Sequence, residues 1–342
     1  MAHARRMKSP GDVPGSAAAP GAARVALGWL AAAQAAAARL ARAQDNEALH
    51  DFRVALRRLR STLRLYRAEL GKQVPARLCR RVKKLTRATN AARDAEVQLA
   101  WLRAARLRLT PREQPARRWW ESRLVQRRDL GYESVRARTL PAFDAFAPVL
   151  ERVLAPVAAS GVTSNSGSFA RVTGERLQTT AQALGEALGK IRTVSDTAEI
   201  HAARIAGKRL RYLLEPVAPS VPGGRAAIRE MKRFQDEFGL LNDSFVRLAE
   251  IEDAVQAAGA EQARVVLHTA LIGRGQPPAA DDPVPGLVAF ARVVQRDAGR
   301  RFRVAKRDYL GSSGDRFVRS MTQVGVRLAC TQQRGFDKES AS

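Results

Sequence analysis

A repeated row of basic residues on one helix face constrains this chain more than any other feature. Between His50 and Tyr66 the sequence reads HDFRVALRRLRSTLRLY. At about 100° per residue of an α-helix, one face collects the cationic positions: His50, Arg53, Arg57, Arg60 and Arg64. A second face, turned by roughly 120°, collects apolar side chains: Phe52, Leu56, Leu59, Leu63 and Tyr66. The basic stripe spans roughly 21 Å, and like charges at this spacing repel. A fold that keeps them aligned is expected to place a polyanion against them.

The same row occurs again 151 residues later, between His201 and Glu215. Both copies follow the pattern His-x-x-Arg-x-x-x-(Lys/Arg)-Arg-Leu-Arg. The first copy consists of His50, Arg53, Arg57, Arg58, Leu59 and Arg60, and the second of His201, Arg204, Lys208, Arg209, Leu210 and Arg211. One copy is compatible with an ordinary solvated helix face. Two copies in register, each opening with one of only four histidines, indicate a shared function.

A second pair of equivalent segments follows at an offset of 149 residues. Arg80, Lys83 and Lys84 correspond to Arg229, Lys232 and Arg233, and NAARD at 90–94 corresponds to GLLND at 239–243. Gly and Asn tolerate the left-handed conformation that ends helices, so a sharp turn is predicted at both places. Asp94 and Asp243 are either ordinary residues of a first helical turn or groups that orient Arg and Lys side chains of the neighbouring helix. Four of these cations fit ligand contact and a solvated face equally well: Lys83, Lys84, Lys232 and Arg233.

No segment alternates with a period of two, and the chain is therefore predicted to be all-α. The internal repeat predicts two pseudo-symmetric four-helix bundles in one domain, with a basic groove or pore at the centre. The expected boundaries are a disordered basic tail at 1–21, a domain at 22–312 and a C-terminal extension at 313–342. Within the domain, halves at 22–155 and 168–312 are joined by a linker at 156–167.

The charge balance limits the choice of partner. Lys and Arg number 59 against 33 Asp and Glu, a formal net charge of +26, which favours nucleic acid, anionic lipid or a phosphate polymer. Cys79 and Cys330 are the only cysteines, too few for a disulfide framework or structural zinc, and they suit a reducing cytosol. The sequence contains no run of about 18 apolar residues, so no membrane span is predicted. Neither a phosphate-binding Walker loop nor a His-Glu-x-x-His motif occurs, so catalysis, a cofactor and a metal are not expected.

The doubled motif resembles that of the CHAD family, the conserved-histidine α-helical domain, over roughly residues 22 to 312. The two basic helices carry the resemblance, together with AARD at 91–94 and GLLND at 239–243. The resemblance implies two helical bundles around a basic groove or pore that binds inorganic polyphosphate without catalysis. The candidate polyphosphate-binding residues are His50, Arg53, Arg57, Arg58, Arg60, Arg64, Arg80, Lys83, Lys84, His201, Arg204, Lys208, Arg209, Arg211, Arg229, Lys232 and Arg233.

Several alternatives stay open at this point. His50 and His201 are either phosphate donors, strengthened by protonation, or structural residues at helix starts. A sequence-nonspecific nucleic-acid-binding protein also fits the charge, but aromatic residues make up only 6% of the chain, which leaves few platforms for base stacking. A further interpretation is a cytoplasmic adaptor that attaches to polyphosphate or storage granules. Oligomeric state, chain-length preference and the role of the basic N-terminal tail are not determined by the sequence.

Overall fold

The computed structural model describes residues 13–42, 47–71, 73–160, 167–272 and 282–330, and within these ranges it confirms the all-α prediction. The longer helices are α1 (Ala18–Ala41), α2 (Ala48–Leu65), α4 (Ala76–Ala88), α5 (Asn90–Ala104), α6 (Pro115–Ser134), α8 (Ala147–Ala159), α9 (Phe169–Gly189), α10 (Thr197–Leu214), α11 (Gly224–Leu271), α12 (Val284–Tyr309) and α13 (Gly311–Cys330). Short helical pieces are α3 (Arg67–Leu70), α7 (Leu140–Asp144), a π-helical turn (Val135–Thr139) and a 3₁₀ turn (Ala218–Ser220). None of the helices in the described ranges is long and apolar enough to cross a membrane.

Each half is built on a helix whose small residues let its neighbours approach closely. In the first half α1 packs against α2 and α8, and in the second half α9 packs against α10 and α13. Gly174 on α9 faces Gly325 on α13, where an added Cβ would come within 2.6 Å of the Gly325 carbonyl oxygen. Between the halves, Gly21 on α1 lies against the ring of Phe169 on α9, which a Cβ would approach to 2.7 Å. Helices α1 and α9 are therefore central to their own halves and also contact each other.

Contacts between equivalent residues mark where the halves meet. Ala17 and Ser168, 151 residues apart, form an isolated antiparallel bridge. Arg247 donates from Nε to Oε1 of Gln98 at 3.0 Å, and these two buried residues are 149 positions apart. Residues next to a two-fold axis contact their own symmetry equivalents, so both pairs are those that a pseudo-two-fold relation between the halves predicts.

The hydrophobic core is shared between the two halves. One cluster of buried residues runs through both halves, from Val13 to Leu328. A second cluster is formed jointly by α5 and α6 of the first half and α11 and α12 of the second. In this second cluster the rings of Trp120 and Phe290 stack with their centroids 5.8 Å apart. Each core draws on both halves, because the apolar faces of neither half are covered by that half alone.

The ends of the expected segments also differ from the structure. Val13 is buried and α1 begins at Ala18, so the later part of the tail expected at 1–21 is folded, while residues 1–12 lie outside the described ranges. In the expected linker, 156–159 continue α8, which carries Pro156, and 161–166 lie outside the described ranges. Of the expected extension, 313–330 belong to α13, which packs against α9, and 331–342 are not described.

The predicted turn at Gly239 is wrong. Residues Gly224–Leu271 form one continuous helix of 48 residues, and positive φ angles occur among the described glycines at Gly167, Gly223 and Gly311 instead. The equivalent break in the first half does exist, at Thr89, but Asn90 opens α5 in a helical conformation and does not end α4.

Candidate functional site

The apolar face of each basic helix is buried and holds the cationic face in place. On α2, Phe52, Leu56 and Leu59 are fully buried, and on α10, Ile200, Ala203 and Leu210 are fully buried. The cationic side chains lie beside these positions: His50, Arg53, Arg57, Arg60, Arg204, Lys208 and Arg211 are half-buried, and Arg64 and His201 are exposed. The sequence-predicted stripes therefore exist on both helices.

Helices α2 and α10 contact each other, so the two rows lie side by side. Arg57 on α2 donates from Nε to the hydroxyl of Tyr212 on α10 at 2.8 Å. Burial lowers the pKa of Lys208 to about 7, and the charges of Arg204 and Arg57 add to this effect. The cation row of one half thus acts directly on the cation row of the other.

Lys208 lies at the centre of this arrangement. Burial is the largest cause of its lowered pKa, followed by repulsion from Arg204 and Arg57, with a smaller contribution from Arg211. The carboxylate of Asp243, on α11, acts in the opposite direction. Desolvation and like charge both favour the neutral amine, so an anion placed here would relieve repulsion among several cations at once.

An arginine of each row lies next to an aspartate of a neighbouring helix. Burial lowers the pKa of Arg53, against the charge of Asp94 on α5. Burial likewise lowers the pKa of Arg204, against the charge of Asp243. Arg53 also donates from Nη1 to Thr89 Oγ1 at 2.8 Å and to Asn90 Oδ1 at 2.9 Å. These partners fix the direction of the guanidinium without neutralising the row.

The two histidines have different surroundings. The pKa of His50 is lowered by burial and then by the charge of Arg93 on α5. His201 is exposed, and its Nδ1 donates to Oδ1 of Asn242 at 3.0 Å. Arg93 and Asn242 occupy equivalent positions, 149 residues apart. The first half therefore adds a cation where the second half has a neutral amide.

Arg58 is occupied by protein contacts. Its side chain is only 13% exposed and pairs with Glu215, which directly follows α10, with Nη1 and Oε2 2.7 Å apart. Its guanidinium lies over the Trp29 ring at 4.5 Å. Glu215 also accepts from Nε of Arg211 at 2.8 Å. Arg58 thus links the halves, and its expected ligand contact is not what the geometry favours.

The cations predicted on α4 and α11 are all exposed, and one of them, Arg233, lies next to α12. The six are Arg80, Lys83, Lys84, Arg229, Lys232 and Arg233. Arg233 lies close enough to Tyr309 on α12 for its charge to oppose the burial that raises the pKa of that hydroxyl. The opposite flank of α11 faces α10, since Gln235 donates to the Gly207 carbonyl at 3.1 Å. Lys84 is the repeat equivalent of Arg233, so it lies on the corresponding side of α4.

Arg87 is a site residue that sequence reasoning left out. Burial lowers the pKa of Arg60, and Arg64 and Arg87 add repulsion. Arg87 lies one helical turn beyond Lys83 on α4, so its spacing was the available signal. Tyr212, Gln235 and Arg93 carry no such signal, because each is identified only by a contact between distant segments.

Among the described residues, no group of three or more His, Cys, Asp or Glu side chains is arranged to hold a metal ion.

Comparison with known proteins gives the family. No curated protein matches this chain. The crystal structure of the CHAD domain from the plant Ricinus communis is similar to it, with a TM-score of 0.62 and 24% sequence identity over 84% of this chain and 98% of that one. The family model described as the CHAD domain matches residues 24–252. Since this match covers more than half of the sequence, the chain belongs to the CHAD domain family.

Proposed function

We propose that the groove between α2 and α10 binds inorganic polyphosphate and performs no catalytic step on it. The observation that carries this proposal is the juxtaposition of the two cation rows, in which Arg57 of one half acts on Lys208 and Arg204 of the other. Aligned cations cost free energy in the empty protein, because they repel each other and are partly desolvated. A polyanion laid along the rows removes this cost.

Polyphosphate suits the groove because it is a flexible linear anion that offers phosphate oxygens and no bases. Arginine presents a forked set of donors that matches phosphate, while lysine supplies a point charge. A cation occurs about once per helical turn along both helices, with arginines on α2 and with arginines and Lys208 on α10. The site is therefore suited to a regular series of negative groups. Nothing in its described lining would distinguish one nucleobase from another.

Nucleic acid is the second candidate, since the net charge of +26 attracts any polyanion. The tryptophans, however, are engaged by the protein. Trp29 lies under Arg58, Trp101 and Trp120 pack with Phe290 in the second core, and Trp119 donates to Glu261 at 2.8 Å. A single-stranded partner would find few aromatic platforms. Competition separates the two: polyphosphate should displace DNA, and DNA should not displace polyphosphate.

The central test is the salt dependence of binding to long-chain polyphosphate. Binding by counterion release gives a linear fall of log K with log salt concentration, with a slope of roughly 0.7 to 0.9 per ion contact. Several contacts are expected, hence a slope steeper than about −3. Isothermal titration at a series of salt concentrations measures it, and a flat slope or no binding at low salt refutes the function.

The two halves should contribute together. Reversing the charge at Arg57 and Arg60 should weaken binding strongly, and reversing it at Lys208 and Arg211 should do comparable damage, because the rows share one groove. If charge reversal weakens binding in only one of the two pairs, the shared groove is refuted, although polyphosphate can still be the ligand.

The control for these variants is charge reversal at Arg5 and Arg6, which changes net charge equally and lies outside the two rows. A loss as large as that of the row variants would mean that bulk charge alone drives binding. We also propose that the protein acts in the cytoplasm, attached to polyphosphate or storage granules. A fluorescent fusion that ignores the granules in cells that contain them would count against this location.

A further inference from the structure

A cavity of about 610 Å³ lies beside the start of the first cation row, between the end of α1 and helices α5 and α6. Leu40, Leu99 and Ala100 are among its apolar lining residues. Its charged lining comprises Arg93, Arg103, Arg128, Arg136, Glu96 and Asp129. Four guanidiniums thus face two carboxylates, and the cavity keeps a positive balance.

The two carboxylates leave part of this charge unopposed. Glu96 accepts from Arg93 at 3.0 Å and also from the Tyr132 hydroxyl. Asp129 accepts from Arg128 at 2.8 Å.

The other two cations of the lining, Arg103 and Arg136, are both exposed. Arg136 is exposed and lies over the Tyr132 ring at 5.4 Å. Arg103 pairs with Glu121 at 2.8 Å, but its side chain stays 55% exposed. An exposed pair of this kind is weak and exchanges readily for a phosphate.

The second half has different residues at the positions of these charges. At an offset of 149 residues, the positions of Arg93, Glu96 and Arg103 are occupied by Asn242, Phe245 and Glu252. At these places α11 carries a neutral amide, an apolar ring and a carboxylate. The cluster of charges is therefore particular to the first half.

Arg93 connects the cavity to the groove. Its charge lowers the pKa of His50 after the larger effect of burial, and it also acts on Arg53. The same side chain lines the cavity. A phosphate chain that leaves the first row at His50 would therefore meet Arg93 next and the cavity cations after it.

We propose that this cavity is a second anion site, which continues the first cation row beyond His50 and holds the part of a long polyphosphate chain that extends past the groove. This proposal rests on the proposed function. It adds that a long polyphosphate chain leaves the groove at one end, past His50. It predicts that long chains contact the cavity, whereas a chain short enough to lie within the groove, such as tripolyphosphate, does not.

The test is a double variant, Arg103→Gln with Arg136→Gln, titrated with tripolyphosphate and with long-chain polyphosphate. The affinity for the long chain should fall roughly three- to thirtyfold, the effect of two exposed charge contacts. The salt slope for the long chain should shrink by roughly one to two. The affinity for tripolyphosphate should not change.

The matched control is Arg300→Gln with Arg319→Gln. Arg300 is exposed and pairs with Asp297 at 3.1 Å, as Arg103 pairs with Glu121, and Arg319 is exposed on α13, which packs against α9. Circular dichroism and the thermal midpoint should show that both double variants are folded. Equal loss for the two chain lengths, equal loss in the control, or no loss overturns the second site. A wild-type protein that binds neither chain overturns the proposed function itself.

Discussion

Replacing Lys208 with arginine should remove the pH dependence of polyphosphate binding above pH 7. The pKa of Lys208 is lowered from 10.5 to about 7, first by burial and then by Arg204 and Arg57, while Asp243 opposes the shift. A bound phosphate chain stabilises the charged amine and raises this pKa. Binding therefore takes up a proton whenever the free protein has lost it, and affinity falls as pH rises through 7.

The size of the effect follows from one titrating group. With a free pKa of about 7, the affinity should fall about fivefold between pH 7 and 8 and about tenfold between pH 8 and 9. Proton uptake should be about half a proton per bound site at pH 7 and about nine-tenths at pH 8. Below pH 6 Lys208 is charged in both states and contributes no further change.

Arginine fits this position, since Arg57 occupies the equivalent place in the first half. Its guanidinium stays charged through this pH range, so the variant should bind with a flat profile between pH 7 and 9. Titration calorimetry in two buffers of different ionisation enthalpy measures both affinity and proton uptake. A wild-type profile that is flat, or a variant that declines as steeply as wild type, refutes the assignment to Lys208.

Three further predictions concern His50, the long helix and the link between halves. Replacing His50 with Gln should reduce the gain in affinity as the pH falls below about 6, where Lys208 contributes no further change. Burial and Arg93 lower the pKa of His50 and a bound phosphate would raise it, so an unchanged gain in a binding titration would make His50 structural. Gly239→Ala should raise the free energy of unfolding by about 0.5–1 kcal/mol, because the helix is continuous there and an added Cβ has nothing within 4 Å; a loss in urea denaturation would contradict the continuous helix. Glu215→Gln should lower the free energy of unfolding by about 3 kcal/mol, because Arg58 would stay buried and lose its counterion. An unchanged midpoint of urea denaturation would show that this ion pair between the halves does not stabilise the protein.

The basic stripes were predictable because they depend on local sequence alone. A period of 3.6 residues places Arg53 and Arg57 on one face wherever the segment is helical, and an apolar face of Phe52, Leu56 and Leu59 ensures that the helix is held against a core. The repeat then transfers the same result to α10. What the pattern alone left undetermined was whether the stripes face each other, since that depends on contacts between segments about 150 residues apart.

The break between α4 and α5 shows why helix ends were harder to predict. Thr89 turns its hydroxyl back to the Thr86 carbonyl at 2.8 Å, and such a bond competes with the helical ladder. The equivalent residue in the second half is Phe238, which is buried and stacks on Phe234 with the centroids 4.4 Å apart. An apolar ring has no hydroxyl to compete for the carbonyl, and α11 continues. The turn was predicted from Asn90 and Gly239, but the difference that matters lies one position earlier, where Thr89 corresponds to Phe238.

Arg58 and Arg209 show how identical motif positions acquire different roles. The repeat gives both the same place in the motif, but Arg58 meets Glu215 across the halves. At the symmetry-equivalent place Arg209 meets Arg64, whose charge adds to burial in lowering the Arg209 pKa. One contact is an ion pair and its counterpart is a pair of cations.

This asymmetry bears on where a ligand gains most. Glu215 supplies a carboxylate between Arg58 and Arg211, so the second row ends in a contact that the protein already neutralises. The first row ends in Arg64, which faces Arg209 without such a carboxylate at the equivalent position. A phosphate bound there would supply the missing negative charge at little desolvation cost to Arg64, because that side chain is exposed. The strongest attraction for a polyanion should therefore run along the first row, from Arg64 towards His50 and the cavity beyond it.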